Sequence, residues 1–549
     1  MVVGASLPAN RSARAQDQAN FVVVFAKGAS LADARRAVEA AGGMIVEVNA
    51  SVGVASVASQ NPDFVAAVRS QSALAGATRN LPVAQIDPSL PARADDVERL
   101  NSEGDFPRKE PIERTGGQSG ADPLAGLQWD MDMIHANAAG SHAVQAGDPR
   151  VIVAVIDSGI DASHPDLAAN FSHSLSRNFV TDIPSVDGPC EYPGCVDPPD
   201  VDNSGHGTHV AGTIGAALNG IGIAGIAPNI TLVNARGGQD SGYVFLMPVV
   251  NALVYAGDIG ADIANMSFYI DPWLFNCTSN PADSPDAQLE QQTVIEATQR
   301  AVDYARGHGV TLFVSAGNGH TDMGHPASDA TSPDFPPGSE YLRTVDNSCL
   351  VMPSEANGIL SVSALGPTKI KADYSDYGFE HVDLSAPGGY FRDYFGDPRY
   401  RTNENLVLSS YPRSVLEADG LLAPDGTPLT SSVIRDCVGS TCAYYAYLQG
   451  TSMASPHAAG VGALIVSKYG RWDPNHPGTL MLQPVKTEKI IKYTATDTAC
   501  PDPRLFSYAN VGRPPSFNAY CEGTAQFNGF YGEGIVDALK ALSVPNNMP

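Results

Sequence analysis

The chain has 549 residues, of which 43% are hydrophobic and 17% charged, so it is long enough for more than one globular unit. Its 33 Lys and Arg residues stand against 59 Asp and Glu residues, and the net charge of −26 argues against binding to nucleic acids or anionic membranes. No apolar run reaches the length of a membrane span, so we expect a soluble protein.

The first 87 residues predict a disordered start followed by a small α+β unit. Residues 1–19 carry no complete secretion signal, and we expect them to be disordered. In residues 20–87 the predicted order is β-α-β-β-α-β, the ferredoxin-like arrangement. The strands are predicted at residues 21–26, 44–48, 52–57 and 81–86. One helix is predicted at residues 31–41 with Ser30 as N-cap, and a second begins at Pro62 with Asn61 as its cap. An independent binding module is one interpretation of this unit.

Residues 88–121 are rich in Pro, Arg, Asp, Glu, Ser and Gly and show no apolar periodicity. This composition is typical of an exposed linker. We therefore assign residues 122–545 to a second, larger domain.

Strands and helices alternate through the larger domain, which predicts an α/β fold with a parallel sheet flanked by helices on both faces. The first strand is a β-branched apolar run at residues 151–156, as expected for a buried parallel strand. The other predicted elements are strands at residues 230–235, 263–268, 310–314 and 359–364, and helices at residues 245–256 and 287–308.

Three segments of this domain carry residues suited to nucleophilic catalysis. Asp157 follows the first strand, at the edge where open α/β sheets build their sites. His206 lies between glycines at the start of a small-residue helix, and Ser452 lies at a loop-to-helix junction. Each alone is usually a turn or loop residue. Together they could form a Ser-His-Asp system, in which Ser452 attacks a carbonyl, His206 transfers the proton and Asp157 orients the imidazole.

The chain order Asp, His, Ser is that of subtilisin, and Ser452 lacks the Gly-x-Ser-x-Gly elbow of α/β-hydrolases. From about residue 21 to about residue 542 the chain resembles the subtilisin-like (subtilase) serine proteases, on the motifs Asp157-Ser158-Gly159, His206-Gly207-Thr208-His209 and Gly450-Thr451-Ser452-Met453-Ala454. The resemblance implies a subtilisin-like fold and a serine endopeptidase, with His209 and His457 packed in the interior.

The resemblance also implies the residues around the reacting carbonyl. Asn318 is expected to supply an oxyanion-hole donor beside the backbone N–H of Ser452. The expected substrate-binding residues are Ser267, Phe268, Tyr269, Ala316 and Gly317. Family members usually have glycines where this chain has Tyr269 and Ile270, which leaves the shape of the specificity pocket open.

No cofactor is expected for catalysis, but the resemblance suggests a structural calcium ion at Asp166 and Asn219. A carboxylate, an amide and backbone carbonyls would suit this hard cation. The alternative is an Asp in a turn and an Asn-Gly bend.

Residues 20–87 resemble the inhibitory propeptide of subtilases, which implies an intramolecular partner that blocks the active site. The resemblance then implies a zymogen that cleaves itself in the linker, between Asn80 and Asp122. Protein or peptide substrates and a monomeric state are expected.

The eight cysteines lie mostly in loop-like segments, and none forms a Cys-x-x-Cys pair, which favours disulfides over a zinc site. The pairing that we favour is Cys190–Cys195, Cys277–Cys349, Cys437–Cys442 and Cys500–Cys521. Disulfides indicate an oxidising compartment, so we expect a secreted or extracellular protein.

Two alternatives to a general endopeptidase stay open. One is a catalytically silent, subtilase-shaped binding protein, and the other is a processing protease of narrow specificity. A sedolisin-like peptidase is disfavoured, because those enzymes use a Glu base and this chain has the His206 segment.

Overall fold

The computed structural model describes residues 19–80 and 121–545. The predicted linker and the predicted strand at residues 81–86 therefore lie outside the described residues, as does almost all of the predicted disordered start. Among the described residues, no helix combines the length and the apolar character needed to cross a bilayer.

Residues 19–80 form a four-stranded antiparallel sheet covered by two helices. The elements are β1 (Ala19–Phe25), α1 (Leu31–Ala40), β2 (Gly43–Asn49), β3 (Val54–Ser59), α2 (Phe64–Arg69) and β4 (Leu74–Arg79). The strand order β2-β3-β1-β4 confirms the ferredoxin-like arrangement. Ser30 caps α1 as predicted, because its hydroxyl accepts a hydrogen bond from Asp33 N at 3.1 Å.

Strand β4, which pairs with β1, was not predicted from the sequence, because Leu74-Ala75-Gly76-Ala77 contains no β-branched residue and gives a weak strand signal. The second helix begins at Phe64 rather than directly after Asn61. The side chain of Asn61 instead accepts a hydrogen bond from Asp63 N at 3.1 Å, which forms a turn ahead of the helix.

The larger unit is built on a seven-stranded parallel sheet with the order β13-β12-β9-β8-β5-β7-β6. Its helices and strands are α3 (Trp129–Met133), β5 (Ile152–Ile156), β6 (Arg177–Asn178), α4 (Pro184–Asp187), α5 (His206–Gly215), β7 (Thr231–Arg236), α6 (Leu246–Asp258), β8 (Ile263–Met266), α7 (Pro285–Gly307), β9 (Thr311–Ser315), β10 (Ser328–Asp329), β11 (Arg343–Thr344), β12 (Ile359–Leu365), β13 (Leu384–Pro387), β14 (Val407–Ser410), α8 (Arg413–Ala418), β15 (Val433–Val438), β16 (Thr441–Leu448), α9 (Thr451–Tyr469), β17 (Arg471–Trp472), β18 (Leu480–Met481), α10 (Pro484–Thr494), β19 (Leu505–Phe506), β20 (Ala519–Tyr520) and α11 (Ala538–Ala541).

The central strand β5 shows why both faces of this sheet are covered. Ile152, Ala154 and Ile156 pack in one core cluster with residues of α6 and α7. Val153 and Val155 point the other way and pack with residues of α5, α9 and α10. Because neighbouring side chains of a strand point to opposite faces, a continuous apolar run requires helices on both sides. The predicted α/β architecture is confirmed.

All four predicted disulfides are present. Cys190–Cys195 and Cys437–Cys442 close short loops, whereas Cys277–Cys349 joins segments 72 residues apart. The last of these constrains the unfolded chain over the longest loop.

Candidate active site

The segments that carry the candidate catalytic residues meet at the carboxyl edge of the parallel sheet. Asp157 directly follows β5, and His206 is the first residue of α5. The close approach of α5 to the end of β5 depends on Gly207, since a Cβ there would lie 2.2 Å from the carbonyl oxygen of Gly159. Ser452 is the second residue of α9, the helix that packs beside α5.

Asp157 and His206 are in hydrogen-bond contact. His206 Nδ1 lies 2.7 Å from Asp157 Oδ1, and the same oxygen accepts a hydrogen bond from Ser158 N at 2.8 Å. The Asp157 side chain is 4% exposed, whereas that of His206 is 23% exposed. A carboxylate can only accept, so Nδ1 carries the proton and Nε2 is the basic nitrogen of the neutral ring.

The start of α5 is held by Asp202, a residue that sequence reasoning missed. Its Oδ1 accepts from Gly205 N at 2.9 Å, and its Oδ2 accepts from Thr208 N at 3.0 Å. An aspartate just ahead of a helix is a capping signal, and that signal could have been recognised in the sequence. These bonds fix His206, which lies between the two bonded N–H groups.

Ser452 is seated against the end of β8. Its hydroxyl donates to the carbonyl of Ser267 at 3.1 Å, and the Ser267 hydroxyl donates to the carbonyl of Ser452 at 3.1 Å. One turn along the helix, Ser455 Oγ donates to Asn265 Oδ1 at 2.7 Å. The nucleophile candidate therefore lies on a rigid element, and in this structure its hydroxyl faces Ser267.

Asn318 is positioned by Thr451, the residue before the nucleophile candidate. Asn318 Oδ1 accepts from both the backbone N and the hydroxyl of Thr451 at 2.9 Å. The Thr451 hydroxyl in turn accepts from Gly317 N at 3.1 Å. Thr451 was not singled out from the sequence, because a threonine at a helix start is common and only the fold shows what it contacts.

Of the predicted substrate-binding residues, Ser267 contacts Ser452 in the fold, and Ala316 and Gly317 directly precede Asn318 in the chain. Ser267 contacts Ser452 as described, and Phe268 is half-buried. The Tyr269 hydroxyl donates to Asp334 Oδ2 at 2.6 Å, which ties this non-glycine position to the long segment after β9. Ala316 is buried, and Gly317 has φ +116° with Asp376 Oδ2 only 2.2 Å from where a Cβ would lie. Only glycine fits at that position.

Two other histidines of the catalytic motifs are buried. His209 Nε2 lies 3.2 Å from the carbonyl of Val407 and 3.1 Å from that of Ala446. Burial lowers the pKa of His209 to about 3, so its ring is neutral. Both ring nitrogens of His457 face oxygens, at 2.7 Å from Met453 O and 3.1 Å from Asp130 Oδ2.

The residues named for calcium are engaged in other contacts. Asp166 Oδ2 accepts from the Tyr445 hydroxyl at 2.7 Å and from Ile223 N at 3.2 Å. Asn219 Oδ1 accepts from Ile221 N at 3.1 Å within its own loop. Burial raises the pKa of Asp166 to about 7.

Tyr445 reaches Asp166 from the hairpin of β15 and β16, next to Gly222. A Cβ on Gly222 would lie 1.6 Å from the Tyr445 hydroxyl, so the loop and this tyrosine are closely fitted. The other oxygen of Asp166, Oδ1, is buried and makes no hydrogen bond, and the calcium ion at Asp166 and Asn219 stays a prediction.

Comparisons with known proteins identify the family of the chain. The sequence model of the subtilase family, peptidase family S8, matches residues 148–532. Fervidolysin from Fervidobacterium pennivorans is 28% identical over 363 residues, which cover 64% of this chain. An alkaline protease from Alkalihalobacillus alcalophilus is 30% identical over 348 residues, or 63% of this chain. The matched segments span only 38% and 61% of these two relatives.

Among solved structures, the epidermin leader peptide processing serine protease from Staphylococcus aureus aligns with a TM-score of 0.61. The alignment covers 97% of this chain and 99% of that protein, at 20% sequence identity. At that identity the match supports the fold of both units.

Proposed function

Because the chain belongs to the subtilase family, we propose that it is a serine endopeptidase that hydrolyses peptide bonds through an acyl-enzyme on Ser452. The observation that carries this proposal is the 2.7 Å contact of His206 with Asp157 at the sheet edge, beside the helix that holds Ser452. A buried carboxylate that orients a partly exposed imidazole is what general-base catalysis by histidine requires.

In the proposed reaction, the Ser452 hydroxyl turns from Ser267 towards His206. His206 Nε2 takes the hydroxyl proton while Ser452 Oγ bonds to the substrate carbonyl carbon, and Asp157 stabilises the imidazolium that results. The tetrahedral intermediate collapses as the C–N bond breaks, and His206 donates the proton to the leaving amine. Water then attacks the acyl-enzyme by the same proton transfer, which releases the acid and restores Ser452.

The oxyanion of the intermediate needs hydrogen-bond donors that are already in place. We assign this role to Asn318 Nδ2 and the backbone N–H of Ser452. Support comes from Thr451, which holds Asn318 Oδ1 with two hydrogen bonds and thereby sets the orientation of the amide. A preorganised donor does not have to be reordered during the reaction.

The N-terminal unit is proposed to be an inhibitory propeptide. Val22 and Val24 of β1 share a core cluster with residues of α6 and α7. Across the same surface, Arg300 on α7 donates to the carbonyls of Phe25 at 2.9 Å and Val52 at 3.2 Å. The proposed self-cleavage between Asn80 and Asp122 falls within residues that the structure does not describe.

This interface also contains ion pairs and ends close to α6. Arg69 contacts Asp286 at 2.5 Å, and Arg79 contacts Glu290 at 3.4 Å. Asn80 Oδ1 accepts from Met247 N at 3.4 Å, so the last described residue of the unit lies at the start of α6. Such a packed interface suits an intramolecular partner that leaves only after cleavage. The four disulfides support secretion into an oxidising compartment.

Labelling with a fluorophosphonate probe tests the proposal. The wild-type protein should begin within residues 81–122 after expression and should be labelled on Ser452. The Ser452→Ala variant should remain full-length and unlabelled. Ser467→Ala, at the far end of the same helix, is the matched control and should behave like wild type. A folded wild-type chain that is trimmed but takes no label would be a silent binding protein, and an intact labelled chain would be a protease without self-processing.

A processing protease of narrow specificity is favoured by one observation. Tyr269 stands where the family usually has glycine, and its bond to Asp334 holds the side chain against the segment after β9. A fixed aromatic ring beside the specificity pocket would restrict which substrate residues fit into it. Cleavage of a peptide library by wild type and by Tyr269→Gly tests this: the variant should accept more residue types. Identical profiles would exclude the restriction.

A further inference from the structure

A second cluster of ionisable side chains lies at the end of β7, outside the proposed catalytic machinery. Arg236, the last residue of β7, has a fully buried side chain. Its guanidinium donates to Asp197 Oδ2 at 2.5 Å, to Asp240 Oδ1 at 2.8 Å and to Asp182 Oδ1 at 3.0 Å. We call Asp182, Asp197 and Asp240 the acidic corner.

The acidic corner has more negative charge than Arg236 balances. Three carboxylates and one guanidinium leave a net charge of −2 when all are ionised. The three aspartate side chains are only 1%, 0% and 8% exposed, so water stabilises this charge poorly.

Each aspartate of the acidic corner uses one oxygen for Arg236 and keeps the other without a partner. The buried atoms Asp182 Oδ2, Asp197 Oδ1 and Asp240 Oδ2 make no hydrogen bond. The three carboxylates offer ligand atoms that all lie within 4.8 Å of one another. Oxygen ligands bind Ca²⁺ at about 2.3–2.6 Å, so two opposite ligands can be about 5 Å apart.

A neutral oxygen beside the acidic corner is also unsatisfied. Gln239 precedes Asp240, and its Nε2 donates at 3.3 Å to the carbonyl of Thr181, the residue before Asp182. The amide is therefore held between the two segments that carry these aspartates. Its oxygen Oε1 is buried and makes no hydrogen bond. An amide oxygen is a normal ligand for a hard cation, and leaving it unbonded in the interior is costly.

We propose that the acidic corner binds one hard divalent cation, Ca²⁺, through Asp182, Asp197 and Asp240, with Gln239 Oε1 as a further ligand. Two positive charges would bring the cluster to neutrality without displacing Arg236. This site shares no residue with the predicted calcium site at Asp166 and Asn219.

The cation would stabilise the segments that position Asp157 and His206. Gly237 and Gly238, which follow Arg236, both donate to the carbonyl of Asp157 at 3.0 Å. Asp197 Oδ2 accepts from Asn203 Nδ2 at 3.0 Å, in the turn that leads into α5 and His206. The site would act on stability and positioning and would take no part in the chemistry.

Calorimetric titration of the metal-depleted, full-length Ser452→Ala chain with Ca²⁺ tests the proposal. We expect Ca²⁺ to bind at the acidic corner, and at a hundredfold excess of free Ca²⁺ over Kd the folded-to-unfolded ratio should rise about a hundredfold. Asp240→Asn, the most exposed of the three positions, should lose most of this binding while remaining folded. Mg²⁺ in place of Ca²⁺ measures selectivity, and weaker Mg²⁺ binding is expected because Mg²⁺ requires a tighter octahedral site.

Asp166→Asn is the control, because it removes a buried carboxylate from the other loop. It should keep the Ca²⁺ response. Should Asp166→Asn abolish binding and Asp240→Asn retain it, the ion would belong to the other loop and the proposal would be overturned. Absence of any Ca²⁺ binding would overturn it as well, since the acidic corner would then be neutralised by protons. If Asp240→Asn does not fold, equilibrium dialysis of Gln239→Ala with radioactive Ca²⁺ gives the same decision through reduced affinity.

Discussion

The molecule contains two histidine–aspartate pairs with opposite surroundings. In one, His206 contacts Asp157 at 2.7 Å and is 23% exposed at the edge of the sheet. In the other, His457 contacts Asp130 at 3.1 Å, and both side chains are fully buried. The same two residue types therefore serve a proposed catalytic role in one place and a structural role in the other.

What separates the two pairs is the burial of the histidine ring. Met453 O lies 2.7 Å from His457 Nδ1 while Asp130 binds Nε2, so that ring cannot receive a proton from a substrate. Asp157 contacts Nδ1 of His206, and 23% of the His206 side chain is exposed. A histidine–carboxylate contact by itself is therefore no evidence of catalysis.

The largest expected effect is that of Asp157→Asn. Its kcat/KM should fall about 10⁴-fold, because an amide can hold the imidazole in the wrong tautomer while the structure is kept. Peptide hydrolysis by the processed enzyme measures this loss, and the melting temperature of the variant should remain close to that of wild type. A fall of less than tenfold would place Asp157 outside the mechanism.

Asn318→Ala tests the proposed oxyanion hole beside the His206–Asp157 pair. Its kcat should fall about 10²–10³-fold with little change in KM, which is the size of loss known for an oxyanion-hole asparagine in subtilisin. Steady-state kinetics separate the two parameters. A rise in KM at unchanged kcat would make Asn318 a substrate-binding residue instead.

Substitution in the buried His457–Asp130 pair should lower stability and leave the activity almost unchanged. Asp130→Ala removes the partner of His457 and leaves a buried ring nitrogen unbonded, so the free energy of unfolding should fall by about 1–3 kcal/mol. Denaturant unfolding in the Ser452→Ala background measures this change. The activity of Asp130→Ala in the Ser452 enzyme should stay within a few-fold of wild type, and a loss as large as that of Asp157→Asn would break the comparison.

The last expected effect is a change in acid sensitivity at His209, which is as buried as His457. Burial lowers the pKa of His209 to about 3, so the folded state keeps it neutral while the unfolded chain binds a proton below about pH 6.5. Stability is therefore complete above pH 6.5 and is lost as the pH falls. His209→Gln should reduce that slope by about 1.4 kcal/mol per pH unit between pH 6 and 4. Equal slopes would show that His209 is also protonated in the folded state.

The strand and helix pattern of both units was largely readable from local sequence. The apolar run at β5 required a buried strand covered on both faces, and that architecture formed. The failures lie where the local signal is weak. Strand β4 is made of small residues and is held by pairing with β1, a contact between segments about 50 residues apart.

The candidate catalytic residues were identified because their motifs combine special residues over short distances. Their supporting contacts were not identified. Asp202 accepts hydrogen bonds from the start of α5, and Thr451 donates to Asn318. These contacts depend on the tertiary structure and cannot be read from a single sequence. Asp166 accepts a hydrogen bond from Tyr445, which is 279 residues away and belongs to the hairpin of β15 and β16.

The sequence by itself determined the fold class, the disulfide partners and the three segments that carry Asp157, His206 and Ser452, because periodicity, cysteine placement and compact motifs are local properties. Only the tertiary structure decided which histidine is partly exposed to solvent, which aspartate accepts a hydrogen bond from Tyr445 and which aspartates surround Arg236. Those outcomes depend on burial and on which oxygen is left without a hydrogen-bond donor, and both are set by contacts between distant segments.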